Sequence, residues 1–170
     1  MKILSGKEAS ALLRVNSLDV FITSISERLR LDSGPYAIPP DSGAKTALAR
    51  HFAHLLLENS EVFMYFKSWN VWPSSENFDL FDGYRRSMGE HRPLSECQVH
   101  LFAPGDQPAF ISMLSMGLYF VWDIDVFDAG GTILLTFSHD EWMEFRVDEA
   151  ARNTKIVQGL AGFELKQLTR

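Results

Sequence analysis

The chain has 170 residues, of which 46% are apolar and 22% charged, and its formal net charge is −6. That length suits one domain whose core needs no disulfide or metal staple. The negative charge argues against nucleic-acid binding as the main activity, because phosphate neutralisation supplies most of such affinity.

A single cysteine, Cys97, has no partner within the chain, which fits a reducing compartment. No charged-then-apolar leader opens the sequence, and no run reaches the ~18 apolar residues of a membrane span. The expectation is a cytoplasmic protein with no membrane segment. Thirteen Phe and four Trp point to a thick aromatic core or to an interface with aromatic anchors.

In chain order, Ser5 with Glu8 forms a capping-box pattern ahead of Ala9, Leu12 and Leu13. Residues 18–30 carry apolar positions at helical spacing (Leu18, Phe21, Ile22, Ile25, Leu29) together with strand-favouring Val20, Ile22 and Thr23, so helix and strand both remain open. Asp32 to Pro35 reads as a turn and Tyr36 to Ile38 as a short edge strand. Asp41 or Ser42 caps a helix over 43–58, whose stripe is Ala44, Leu48, Phe52, Leu55 and Leu56. His51 and His54 flank that stripe as a half-exposed pair and lack a third metal ligand nearby in sequence.

Val62 to Trp69 is apolar on both alternating faces, with Val62, Met64 and Phe66 against Phe63, Tyr65 and Trp69. Such a strand is expected to be covered on both sides. Pro73 breaks the pattern, Ser74 or Ser75 caps a helix over 75–88, and Gly89 ends it. The loop at the carboxyl end of a strand is the usual ligand position in an open α/β sheet. Trp69, Asn70, Trp72, Ser74, Ser75, Glu76 and Asn77 are therefore the first candidate site, with Glu76 as its acid/base and the tryptophans as walls. Helix caps and core anchors account for the same residues without any ligand.

The run WNVWPSSENFDLFDGYRRSMGEHRPL, with the later FSHDE, resembles a family of uncharacterised bacterial proteins sharing a tryptophan–proline–serine–serine–glutamate–asparagine core. The resemblance covers about residues 35–145. It implies a bacterial cytoplasmic protein and transfers no catalytic residue.

Leu94 to Phe102 is the next extended segment, with Cys97 as a core residue. Asp106 caps a helix over 107–120 that is apolar nearly all round and so expected to be buried. Three strands follow. The connection Asp128 to Gly131 makes a hairpin. Pairing Phe127 with Thr132 puts Trp122, Ile124, Val126, Ile133, Leu135 and Phe137 on one core face. A three-residue loop of His139, Asp140 and Glu141 adds Met143, Phe145 and Val147 to it. On the outer face Asp123 then lies by Thr136 and Glu144, Asp125 by Leu134 and Arg146, and Trp142 by Ser138. Asp123, Asp125, Thr136, Trp142, Glu144 and Arg146 are the second candidate surface, suited to a basic protein partner. Cross-strand offsetting of Asp125 or Asp123 by Arg146 is the simpler account of the same residues. Asp148 caps a last helix containing Ala151, Ile156 and Val157, and the tail over 160–170 either docks or frays.

No Gly-x-Ser-x-Gly turn or glycine-rich phosphate loop is present, and no catalytic set coheres. His139 with Asp123 or Glu144 is the one carboxylate–histidine grouping in view. The fold expected is α/β to α+β: one domain, 1–170, with residues 1–34 as a helical segment packed on a mixed sheet. Its order is β-α-β-α followed by an antiparallel three-strand meander. A right-handed crossover would make strands 62–69 and 94–102 parallel. The function expected is a non-catalytic protein-binding module of the immunity or inhibitor type, with no cofactor or metal and no nucleic-acid partner. The alternatives are a small-ligand binder or hydrolase-like enzyme using the 69–77 loop, and a homodimer that buries one of these faces.

Overall fold

The computed structural model describes residues 1–31, 35–69, 75–163 and 165–168, with backbone alone at 30, 31, 75–77, 151 and 152. Within them one sheet runs through the molecule. Its strands are β1 (Lys2–Leu4), β2 (Arg30–Leu31), β3 (Tyr36–Ala37), β4 (Val62–Ser68), β5 (Val99–Phe102), β6 (Asp123–Asp128), β7 (Ile133–Phe137) and β8 (Trp142–Val147). The order across the sheet is β1-β5-β4-β6-β7-β8-β2, with β3 also on β8. Every pairing is antiparallel. The helices are α1 (Gly6–Leu13), α2 (Leu18–Arg28), α3 (Ser42–Leu56), α4 (Ser75–Ser87), α5 (Gln107–Tyr119) and α6 (Ala150–Ala161). The result is a single-domain α+β fold.

Both sheet faces are covered, as the double alternation of β4 requires. Val62, Met64 and Phe66 join Ile124, Val126, Leu135, Phe137 and Phe145 under α3, α4, α5 and α6, which contribute Leu48, Phe52, Phe81, Phe110, Leu114, Ile156 and Leu160. Phe63, Val99, Leu101, Phe127 and Leu134 face Ala9, Leu18, Ile22 and Ile25 of α1 and α2. Residues 18–28 are thus helix. The apolar set at three- and four-residue spacing outweighs the β-branched residues because it has a sheet face to bury against.

Local signals at the helix starts hold in two places. Ser5 and Glu8 close a reciprocal capping box, with Ser5 N–H donating to Glu8 Oε2 at 2.6 Å and Glu8 N–H donating to Ser5 Oγ at 3.2 Å. Asp41 Oδ1 accepts from Ala44 N–H at 2.8 Å. Two caps differ from expectation. Asp106 closes a 3₁₀ turn, Pro104–Asp106, by accepting from Ala103 N–H and makes no side-chain cap to α5. Glu149, not Asp148, is the N-cap residue of α6 and makes no side-chain cap bond.

The central pair also departs from expectation: β4 and β5 are antiparallel, and β5 spans only 99–102 while 94–96 turns. Arg85, buried at the end of α4, braces the return that allows this pairing. Its guanidinium donates to the carbonyls of Arg92 (3.1 Å) and Cys97 (3.0 Å). These bonds fold the chain back along α4, so it enters β5 beside the end of β4. Gly89, at φ 88°, makes the reversal.

The meander keeps its expected core face, and β7–β8 keeps its expected register, Thr136 opposite Glu144 and Leu134 opposite Arg146. The β6–β7 register is shifted by two residues, so Phe127 pairs with Leu134 and not with Thr132. The Asp128 side chain accounts for the longer loop. Its carboxylate accepts from Thr132 N–H, Thr132 Oγ1–H and Ile133 N–H, holding Thr132 out of the ladder. A shift of two leaves each side chain on its own face but changes its cross-strand partner.

The tail docks: Lys166 O accepts from Ala37 N–H and Pro35 O from Leu168 N–H, both at 2.8 Å. Residues 32–34 of the expected turn lie outside the described residues. So does the Ala151 side chain.

Candidate functional site

The two ends of the sheet differ in chemistry, and β4 separates them by about 20 Å at ~3.3 Å per residue. At the first end β4 leaves into the aromatic loop. Ser68 pairs with Asp123 across a bulge between Phe66 and Ser68. The bulge inserts a residue and turns the strand, so Trp69 packs partly buried against the α3–α6 side with Phe66, not on the Tyr65 side. Asn70, Trp72 and Ser74 lie outside the described residues. Ser75, Glu76 and Asn77 open α4, and their side chains are likewise outside them. The pairing of Ser68 with Asp123 nevertheless sets the start of this loop against the second candidate surface.

Within that surface the register distributes the charges unequally. Asp125 is only 1% exposed. It takes Lys67 Nζ at 2.9 Å and Thr136 Oγ1–H at 2.9 Å. Burial still pushes its carboxyl up, against the lowering by Lys67. Glu144 is 8% exposed and pairs with Arg146 at 3.2 Å, while Arg146 also donates to Ser26 O in α2 at 3.1 Å. The expected open acidic face is therefore partly closed. Because residues 18–28 form a helix on this side, Asp125 and Glu144 serve as internal counterions. Thr136 is half-buried against Asp125, and Trp142 is half-buried with its carbonyl accepting from Ser138 N–H.

Asp123 and His139 form a pair at the rim. His139 backbone N–H donates to Asp123 Oδ1 at 2.9 Å, and ring Nδ1 lies 3.0 Å from both carboxylate oxygens. A carboxylate can only accept, so Nδ1 carries the proton. Nε2 lies 3.6 Å from Oδ1 of the exposed Asp140. The Asp123 hydrogen bond raises the His139 pKa above its ordinary 6.5. A raised folded value means the pair stabilises the fold below the unfolded pKa and that this contribution fades as pH rises through the folded one. Asp123→Asn is expected to move the His139 titration midpoint downward in an NMR pH series. An unchanged midpoint would show that the pair does not form in solution.

At the opposite end three connections converge. The link from α3 into β4 carries Glu58 and Glu61, β6 ends at Asp128 opposite Val62, and β8 runs out through Asp148 to Glu149. Glu58, Glu61, Asp148 and Glu149 are exposed and Asp128 is half-buried. Arg28 Nη2 donates to Gly131 O at 2.7 Å and fixes the β6–β7 turn from α2. Sequence reasoning missed this grouping. Part of its signal lies in the sequence: Glu61, Asp128, Asp148 and Glu149 flank strand ends, and Glu58 follows the end of α3.

Among the described residues no group of three His, Cys, Asp or Glu side chains comes together to hold a metal ion. His51 is half-buried against Phe52 and Phe163, whereas His54 is exposed. Cys97 is buried, and burial pushes its thiol up. No helix of the described residues is long and apolar enough to cross a membrane. Compared with family models, curated proteins and solved structures, the chain matches none of them.

Proposed function

We propose that this chain is a non-catalytic protein-binding module of the immunity or inhibitor type, acting in a bacterial cytoplasm on a basic protein partner. The observation that carries the reading is the gathering of Glu58, Glu61, Asp128, Asp148 and Glu149 at one end of the sheet. Five acids outnumber the basic Arg28 and Lys155 at this end, and such an excess of one sign steers an oppositely charged partner and fixes its orientation. The meander acids contribute less than their sequence suggests, because Asp125 and Glu144 are already paired inside the fold.

Affinity capture of the tagged protein from its source lysate at low and high salt tests this reading. A stoichiometric basic protein is expected at low salt and is expected to be lost at high salt, because exposed charge attraction is screened. The triple variant Glu58→Gln/Glu61→Gln/Glu149→Gln should lose that protein. Its melting temperature should stay within a few degrees of the parent, since exposed substitutions of this kind usually cost under about 0.5 kcal/mol. Retention of nothing at either salt, or equal retention by the triple variant, would contradict the reading.

A second reading rests on the Asp123–His139 pair beside the start of the 69–77 loop. A histidine oriented through Nδ1 keeps Nε2 free of the Asp123 bond and can shuttle a proton. On that reading the chain is a small-ligand binder or hydrolase-like enzyme. His139→Gln would then abolish turnover of a substrate found by screening, and unchanged turnover would contradict the reading.

A further inference from the structure

Between the end of α3 and the start of α6 lies a cleft of about 270 Å³. Leu55, Leu56, Val62 and Ile133 supply its apolar lining, and Glu58, Asp128, Glu149 and Lys155 its charges. The volume falls below the ~300–1,000 Å³ usual for small-molecule pockets. Three carboxylates against one ammonium leave two negative charges around an apolar surface.

From that combination we infer that the cleft receives one basic side chain, lysine or arginine, of a protein partner: the aliphatic stem lies on Leu55 and the edge of Leu56, over a floor of buried Val62 and Ile133, and the cationic head reaches Glu58 and Glu149. The inference rests on the proposed function and assigns it an anchor point. Lysine and arginine are the side chains that bury an apolar stem while keeping a charged head in polar surroundings. A purely apolar anchor would strip water from the carboxylates and return no partner to them. An acidic anchor would be repelled. Asp128 is the lesser contributor, because its oxygens already accept from Thr132 and Ile133. Lys155, exposed on α6, competes for the same carboxylates, so its charge opposes the guest.

The probes are the peptide acetyl-Gly-Arg-Gly-amide and its counterpart with citrulline, which keeps the stem and removes the charge. Titrated into the full-length ¹⁵N-labelled protein, the arginine peptide is expected to shift the amide signals of Leu55, Val62 and Ile133, and the citrulline peptide to leave them in place. Glu58→Gln/Glu149→Gln should weaken binding at least tenfold, and Lys155→Gln should strengthen it. Opposite signs from two exposed positions are not what a general loss of structure produces. Glu149 makes no side-chain cap to α6, so its replacement removes no structural bond there. The absence of shifts at these amides, equal shifts with citrulline, or equal affinity in the double glutamine variant would overturn the inference. If the basic partner still binds the double variant with full affinity, the anchor falls and the proposed function stands. If the peptide binds as described and no protein partner is ever retained, the proposed function falls and the anchor stands.

Discussion

Arg85→Ala is expected to cost about 3–5 kcal/mol, the range for removing one member of a buried charged network. Arg85 is 1% exposed. Burial lowers its pKa, and the nearby Asp82 carboxylate, 3.3 Å from Nη1, raises it. The Arg92 and Cys97 carbonyls also receive its N–H groups, and its charge lies 6.0 Å above the Phe81 ring. Alanine would open a cavity and leave the buried Cys97 carbonyl without that donor, and an unmet buried group costs about 1–3 kcal/mol. Arg85→Met should cost less than Arg85→Ala: both remove the buried charge, but methionine also refills the space. Chemical denaturation of the three proteins checks this. A loss below about 1 kcal/mol for alanine would show that the bonds folding residues 92–97 onto α4 are dispensable.

Gly117→Ala is expected to destabilise the protein by about 1–3 kcal/mol through overpacking, although alanine gains about 1 kcal/mol over glycine in a helix interior. The steric term dominates because α5 lies directly on the sheet. A Cβ at Gly117 would sit 2.2 Å from Ile124 Cδ1 and 3.2 Å from Phe66 Cε1. Ile124→Val removes the nearer atom and alone costs about 0.5–1.5 kcal/mol. In the double variant the clash is relieved, so the two changes should cost less together than their sum, with a coupling of at least about 1 kcal/mol. Strict additivity would mean that α5 does not approach β6 as closely as described.

The pattern of apolar residues made some of this architecture readable and left other parts hidden. The period-2 alternation of 62–66 and 122–147 fixed the core face of four strands, and the loop of His139, Asp140 and Glu141 fixed the β7–β8 register. Ser5 and Asp41 marked their helix starts because a cap depends on a few adjacent residues. What failed depended on distant contacts. The three-residue β1 is too short to show a period and exists through its pairing with β5. The direction of β5 follows from a return segment that the buried Arg85 braces through distant carbonyls. The side on which Trp69 packs depends on one inserted residue in β4. The burial of Asp125 and Glu144 followed from a single open question, whether 18–28 is helix, because that helix covers their face. The acidic sheet end was hidden for a related reason: its residues are far apart in sequence and meet only once the strand order is known.

The two ends of the sheet offer competing locations for function, and a partner's affinity can tell them apart. The decisive measurement is calorimetric titration of the captured basic partner into three forms of the protein: the parent, Glu58→Gln/Glu61→Gln/Glu149→Gln, and Asp123→Asn/Trp142→Ala. The first variant is expected to lose at least tenfold in affinity and most of its salt dependence, while the second binds like the parent. Loss confined to the Asp123→Asn/Trp142→Ala variant would contradict that expectation and place the interface at the aromatic and histidine end.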